Sequence, residues 1–237
     1  MCGKFTAMGR WRKVWNFSQP LTVTPGDPPD EGVTYGVAQP LPVIVWDRET
    51  KERRVVPMRW GFPHAKDWRR PQPIHARSET IETTKTFAEA FANGQRGIVV
   101  FKTFNEGKEL SATKTEQWTI DPQDGVPRGF AFVWRRFEIP GLPQPILACV
   151  MATVPANKLL RDTILEHDPD PRMPAILEDA DWRTWLGEND ATPEQAKAVM
   201  RTMEGVNWKI APEPKKVKVK ERNATGARAA KPEPSLF

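Results

Sequence analysis

Apolar residues in this chain come mostly in short runs, not at helical spacing. Leu41–Trp46 (LPVIVW) reads as a buried strand and Arg53–Trp60 (RRVVPMRW) as a second, with Asp47–Lys51 as the turn between them. Gly97–Phe104 (GIVVFKTF) is a strong strand signal. Glu116–Ile120, Phe130–Phe137, Ile146–Thr153 and Pro174–Leu177 continue the pattern. Helical signals are fewer. Ser78 to Asn93 places Phe87 and Phe91 four apart on one face, with Gly94 as a stop. Pro155–Leu165 reads as a short helix and Asp179–Leu186 as another. Thr192–Glu204 opens on Thr192-Pro193-Glu194, a good cap and first turn. Residues 18–34 and 63–74 are Pro-punctuated loops, the second carrying Trp68. The pattern predicts an α+β fold with a mixed, barrel-like antiparallel β core and peripheral helices, without internal repeats.

Composition changes this picture at the ends of the chain. The 237 residues are 39% hydrophobic and 27% charged, enough for one large domain and a tail. The net charge of +5 is unevenly spread: residues 212–237 hold seven Lys or Arg against three Glu, whereas 1–211 hold 28 against 27. We therefore expect a domain over 1–211 and a basic, disordered tail over 212–237. A nucleic-acid footprint on the body has to come from a local cluster. Ten Trp supply broad faces for a core or for base stacking. Two Cys make neither a disulfide framework nor a zinc site, so no metal or cofactor is expected. No apolar leader and no run of 18 apolar residues is present, which points to a cytoplasmic chain without a membrane span.

The candidate chemistry starts at Cys2. Removal of Met1 would leave a residue bearing both an α-amine and a thiol, with ordinary pKa values of roughly 8 and 8.5. Such a 1,2-aminothiol captures aldehydes: the amine forms a Schiff base and the thiol closes it to a thiazolidine. Gly3 lets the chain leave without obstruction. His75 and Arg77 would share one face of an extended HARSET segment, a phosphate clamp beside a polar group; a surface ion pair of Arg77 with Glu79 is the plainer reading. His167 lies in EHDPDPRMPAIL, where Asp168 or Asp170 can fix its tautomer. The same cluster lacks the spacing of a metal site. Glu106 follows the strand GIVVFKTF, where burial beside Phe104 would suit a general acid and a solvated hairpin would not.

In order along the chain, MCGKF, RWGF (59–62), HARSET (75–80), the strand leading to Glu106 and EHDPDPRMPAIL (166–177) resemble the SRAP family, the SOS-response-associated peptidases or abasic-site processing proteins, over about residues 1–210. The resemblance implies a barrel-like mixed fold acting on abasic sites in single-stranded DNA. Cys2 would cross-link to the ring-opened sugar, Glu106 would assist ring opening and proton transfer, and His167 would aid Schiff-base formation and reversal. His75 stands where the family usually has Asn. Arg77 would grip the phosphate beside the lesion, Trp68 and Trp60 would line or support the cleft, and Lys4 and Arg172 join the DNA-binding set. Departures are Lys4 for the usual Arg, Thr103-Phe104-Asn105-Glu106-Gly107 around the glutamate, Gly36 where an Asn is common, and Pro169-Asp170-Pro171 inserted into the short His-Asp-Arg-Met-Pro run. The tail would add sequence-independent phosphate contacts. Its end, Ser235-Leu236-Phe237, resembles part of a sliding-clamp-binding peptide. We expect a monomer of bacterial or phage origin, associated with the nucleoid. An N-terminal-nucleophile amidohydrolase and a non-catalytic DNA or clamp adaptor are the competing readings.

Overall fold

The computed structural model describes residues 2–8, 21–23 and 33–213. Its elements run β1 (Lys4–Ala7), β2 (Leu21–Val23), β3 (Thr34–Gly36), β4 (Pro40–Asp47), β5 (Glu52–Trp60), β6 (Pro63–His64), β7 (Asp67–Pro71) and β8 (His75–Arg77). Then follow α1 (Ala88–Ala92), β9 (Arg96–Ser111), β10 (Lys114–Asp121), β11 (Arg128–Phe137), β12 (Ile146–Pro155) and α2 (Lys158–Thr163). The described chain closes with β13 (Arg172–Pro174), β14 (Ile176–Leu177), α3 (Asp179–Leu186), α4 (Pro193–Ala198) and β15 (Lys209–Pro212).

The sheet is mostly antiparallel and bends into a ring. β9 pairs with β11, β11 with β12, β12 with β5, β5 with β4, and β4 again with β9. Two of these seams are short. β12 and β5 run parallel over Ala148–Arg59 and Cys149–Trp60, and β4 meets β9 over Ile44–Ile98 and Val45–Gly97. The barrel is therefore unevenly closed, with peripheral helices, as the hydrophobic pattern predicts. Runs such as ILACVMATV in β12 are buried at nearly every position, as expected of a strand covered on both faces.

The interior is aromatic. Phe101 stacks on Phe130 with centroids 3.8 Å apart, and Phe5, Trp60 and Phe104 close around them. The buried Arg96 is held by backbone: its guanidinium donates to the carbonyls of Phe91 and Trp185 near the C-terminal ends of α1 and α3. Those carbonyls lack partners within their own helices, so a buried cation is satisfied without a carboxylate.

Several boundaries differ from the sequence pattern. The helix expected over Ser78–Asn93 is α-helical only from Ala88; Thr80 and Thr83–Thr84 make turns instead, as hydroxyl and β-branched side chains favour. The helix expected over Thr192–Glu204 keeps its capping box, Thr192 with Gln195, but stops at Ala198. The loop at 63–74 contains the β6–β7 hairpin. Lys209–Pro212, assigned in part to the tail, is a strand on β10. Residues beyond Glu213, including Ser235, Leu236 and Phe237, lie outside the described residues.

Candidate functional site

β1 lies antiparallel on β9 with Lys4 opposite Asn105 and Phe5 opposite Phe104. Continued two residues back, this register brings Cys2 beside Glu106 and Gly107. β8 runs parallel to β12 with His75 opposite Met151. From there His75 Nε2 meets the Cys2 carbonyl at 2.7 Å. Three segments distant in sequence thus converge on the first residues of the chain.

Cys2 is 2% exposed, and its Sγ donates to the Lys4 carbonyl at 3.3 Å. Burial, reinforced by the negative charge of Glu106, pushes the thiol up to about 12, so it is held protonated. Glu106 is also 2% exposed; its Oε1 accepts from the Gly107 amide at 3.2 Å. Burial lifts its carboxyl above the usual carboxylate range. Glu106 lies inside β9, five residues before the strand ends, in an arm of the β9–β10 hairpin and not in its turn, which falls between Ser111 and Lys114. His75 sits edge-on to Trp60, with ring centroids 6.5 Å apart. Burial drives its pKa down to about 4 against the opposing hydrogen bond to Cys2.

The remaining expected residues are placed as follows. His167 lies on a turn after α2 with its side chain 70% exposed, its Nε2 3.8 Å from Glu166 Oε1. Arg77 reaches Asp170 at 2.5 Å, and Lys4 reaches Glu213 at 2.5 Å. Trp68 is half-buried on the β6–β7 hairpin, with the Arg69 guanidinium 4.9 Å above its ring and its carbonyl accepting from Arg59. Trp60 is fully buried and supports the site from behind. Arg172, expected to face DNA, is 4% exposed and grips Glu79 with both Nη atoms at 2.6 and 2.7 Å. Its geometry is that of an internal brace, since both Nη atoms are already engaged. Sequence reasoning missed the carboxylates Asp170 and Glu213 as partners of Arg77 and Lys4. It also missed Lys108, although its place two residues after Glu106 on a strand was a usable signal. Among the described residues no cluster of His, Cys, Asp and Glu could hold a metal ion, and no helix is long and apolar enough to cross a membrane.

Fold and grouping together define a mixed β-barrel whose amino terminus, bearing a cysteine, is laid along its longest described strand beside a buried carboxyl. A family model described as SOS response associated peptidase (SRAP) matches residues 1–219, and the chain belongs to that family. Among its relatives, abasic site processing protein YoqW of Bacillus subtilis (strain 168) is 26% identical over 207 residues, covering 85% of this chain and 87% of its own. Abasic site processing protein YobE of the same strain is 26% identical over 207 residues, covering 84% and 88%. The fold is shared with solved structures. One, from Bordetella bronchiseptica, has a TM-score of 0.68 at 20% identity, covering 90% of this chain and 99% of its own. Another, from Bacteroides thetaiotaomicron, has a TM-score of 0.69 at 17% identity, covering 89% and 91%.

Proposed function

We propose that this chain processes abasic sites in single-stranded DNA by bonding covalently to them through Cys2. The observation that carries the reading is the convergence of Cys2, just ahead of β1, with His75 of β8 and Glu106 of β9. Family membership, and relatives named as abasic site processing proteins, favour it over an amidohydrolase or an inert adaptor.

The chemistry follows from the groups present. While Met1 is attached, the Cys2 nitrogen is an amide and its sulfur is sealed; neither can attack. Hydrolysis of the Met1–Cys2 bond, by an aminopeptidase or by the chain itself, frees an amine. That amine adds to the aldehyde carbon of the ring-opened sugar, and loss of one water gives an imine. The thiol then adds to the imine carbon: an S–C bond forms, and the sulfur's proton passes to nitrogen, closing the thiazolidine. Because burial favours the neutral carboxyl of Glu106, this residue can lend a proton to the departing oxygen and recover one from the nitrogen as the imine forms. His75 holds the Cys2 carbonyl, so the amine and thiol stay oriented. His167 lies on the α2–β13 turn as the second proton carrier, and Arg77 and Trp68 meet the phosphate and base beside the lesion. In this reading one protomer holds the whole site, and Ser235-Leu236-Phe237 tether it to a sliding clamp.

The test mixes the purified chain with a single-stranded oligonucleotide containing one abasic site. A heat-stable adduct is expected from the native chain and none from Cys2→Ala. Glu106→Gln should slow adduct formation by roughly 10²-fold or more. Intact mass should show the reactive species beginning at Cys2. An adduct formed by Cys2→Ala, or by chains that retain Met1, would overturn the reading.

A further inference from the structure

We propose that Lys108 is a positioning residue for this reaction: it ties the turn that carries His167 to the strand that carries Glu106. The proposal rests on the reading above for the role of His167, but its geometry stands apart from it.

Glu106 and Lys108 are two residues apart on β9, in a stretch where the pairing with β10 is regular: Trp118 opposes Glu106 and Glu116 opposes Lys108. They therefore leave the strand on the same face. From there the ammonium of Lys108 reaches across to another part of the chain. It donates to the carbonyl of Thr163 at 2.7 Å and pairs with Glu166 Oε1 at 3.0 Å. Thr163 is the last residue of α2, so its carbonyl is one that the helix itself leaves without a partner. The same Glu166 oxygen stands 3.8 Å from His167 Nε2. Lys108 thus caps a helix end and fixes the carboxylate that faces the imidazole. Trp118 flanks the ammonium at 5.8 Å from its ring centroid, which narrows the directions the side chain can take. The hydrogen bond from Lys108, with its charge, holds the Glu166 carboxyl below its usual range.

The turn that Lys108 secures lies within electrostatic range of Glu106. Asp168, next to His167, has its amide on the Leu165 carbonyl at 3.0 Å, and its charge is felt at Glu106. In a family whose His-Asp-Arg-Met-Pro run is short, direct linkage to the following strand can place the histidine. Here Pro169-Asp170-Pro171 lengthens that connection. Lys108 supplies a constraint from the opposite side, at the end of α2.

The test compares Lys108→Met, which keeps most of the stem without the charge, with Lys108→Arg, which restores a cation. Single-turnover adduct formation is measured at saturating abasic oligonucleotide, alongside the affinity for undamaged single-stranded DNA. Lys108→Met should lower the saturating rate about tenfold, the scale expected for a small misplacement of a reacting group. Its affinity should stay within about twofold of the native value and Lys108→Arg should recover most of the rate, as an oriented cation requires. A loss of affinity that accounts for the slower adduct would make Lys108 a phosphate contact and overturn the proposal, as would an unchanged rate in Lys108→Met. If the native chain forms no adduct, the reading of function fails, and the strut is still decided by hydrogen exchange. Amide protection at residues 164–168 lost in Lys108→Met and kept in Lys108→Arg supports it; protection unchanged in Lys108→Met overturns it.

Discussion

His75 carries its proton on Nε2, because the atom 2.7 Å away is the Cys2 carbonyl oxygen, which can only accept. Among the described residues its buried Nδ1 has no hydrogen-bond partner, so protonation there would place a charge that none of them receives. This explains how a titratable residue can stand where the family usually has Asn: both donate to a carbonyl, and burial keeps this imidazole neutral down to about pH 4. The linkage has a definite sign. A histidine whose folded pKa lies below its unfolded value stabilises the fold above the unfolded value of 6.5, and that contribution is lost as pH falls through about 4. The full shift corresponds to at most about 3 kcal/mol. Denaturant unfolding at pH 7.5 and 4.5 should therefore show a steeper acid loss for the native chain than for His75→Asn. Equal slopes would mean that the imidazole is not held neutral. Residue type alone was enough to single out His75, but not to find its hydrogen-bonding partner, because only the parallel β8–β12 register brings position 75 to position 2.

At the scale of elements, the segment between α2 and β14 shows where one-dimensional reading runs out. Arg77 and Glu79 are near neighbours in HARSET, and an ion pair between them was the plain expectation. The structure exchanges partners: Arg77 pairs with Asp170 and Glu79 with Arg172, both from the β13 side of the barrel. Spacing along a strand cannot reveal an exchange made across a sheet. The elements themselves were legible wherever an apolar run was long enough, as in β4, β9 and β12. Glu106 was misplaced to a strand end because β9 continues through the polar stretch Asn105–Ser111, held by β10 and not by hydrophobicity. Asp170 occupies Arg77 much as a phosphate would, and both are about half exposed. Asp170→Asn should therefore free the guanidinium at little cost to the fold, since exposed pairs contribute only about 0–1 kcal/mol. Affinity for undamaged single-stranded DNA should rise up to about fivefold on that scale. The log–log salt slope should steepen by up to about one unit. Fluorescence anisotropy across a salt series checks both; an unchanged Kd and slope would show that Arg77 does not meet the backbone.

For the whole molecule, the site depends on how the ring of strands is drawn together, because β1, just after Cys2, lies directly on β9 with Glu106, whereas β8 with His75 is carried by β12, on another part of the ring. The two short seams leave little hydrogen bonding to hold the ring at those points, so packing between the strands carries the closure. Glycines mark the tightest approaches. A Cβ on Gly129 would run into Ile98 Cγ2 and meet Trp182 at 3.3 Å; one on Gly97 would run into Val43 Cγ1 and meet the Ile44 carbonyl at 3.2 Å. Gly97 lies in the β4–β9 seam and its carbonyl accepts from Trp185 Nε1, so barrel closure and the docking of α3 share one residue. In the sequence Gly97 only opens a strand signal and Gly129 only precedes one; their purpose depends on neighbours 30 to 55 residues away. Gly129→Ala should consequently cost about 1–3 kcal/mol through overpacking. A loss spread through the ring should also slow adduct formation, although residue 129 belongs to no part of the proposed chemistry. The check is a pair of measurements on one variant, the unfolding midpoint and the adduct rate at a temperature where it is fully folded. A lowered midpoint with a native rate would confine the role of Gly129 to stability, whereas a fall in both would show that the barrel's closure sets the geometry at Cys2.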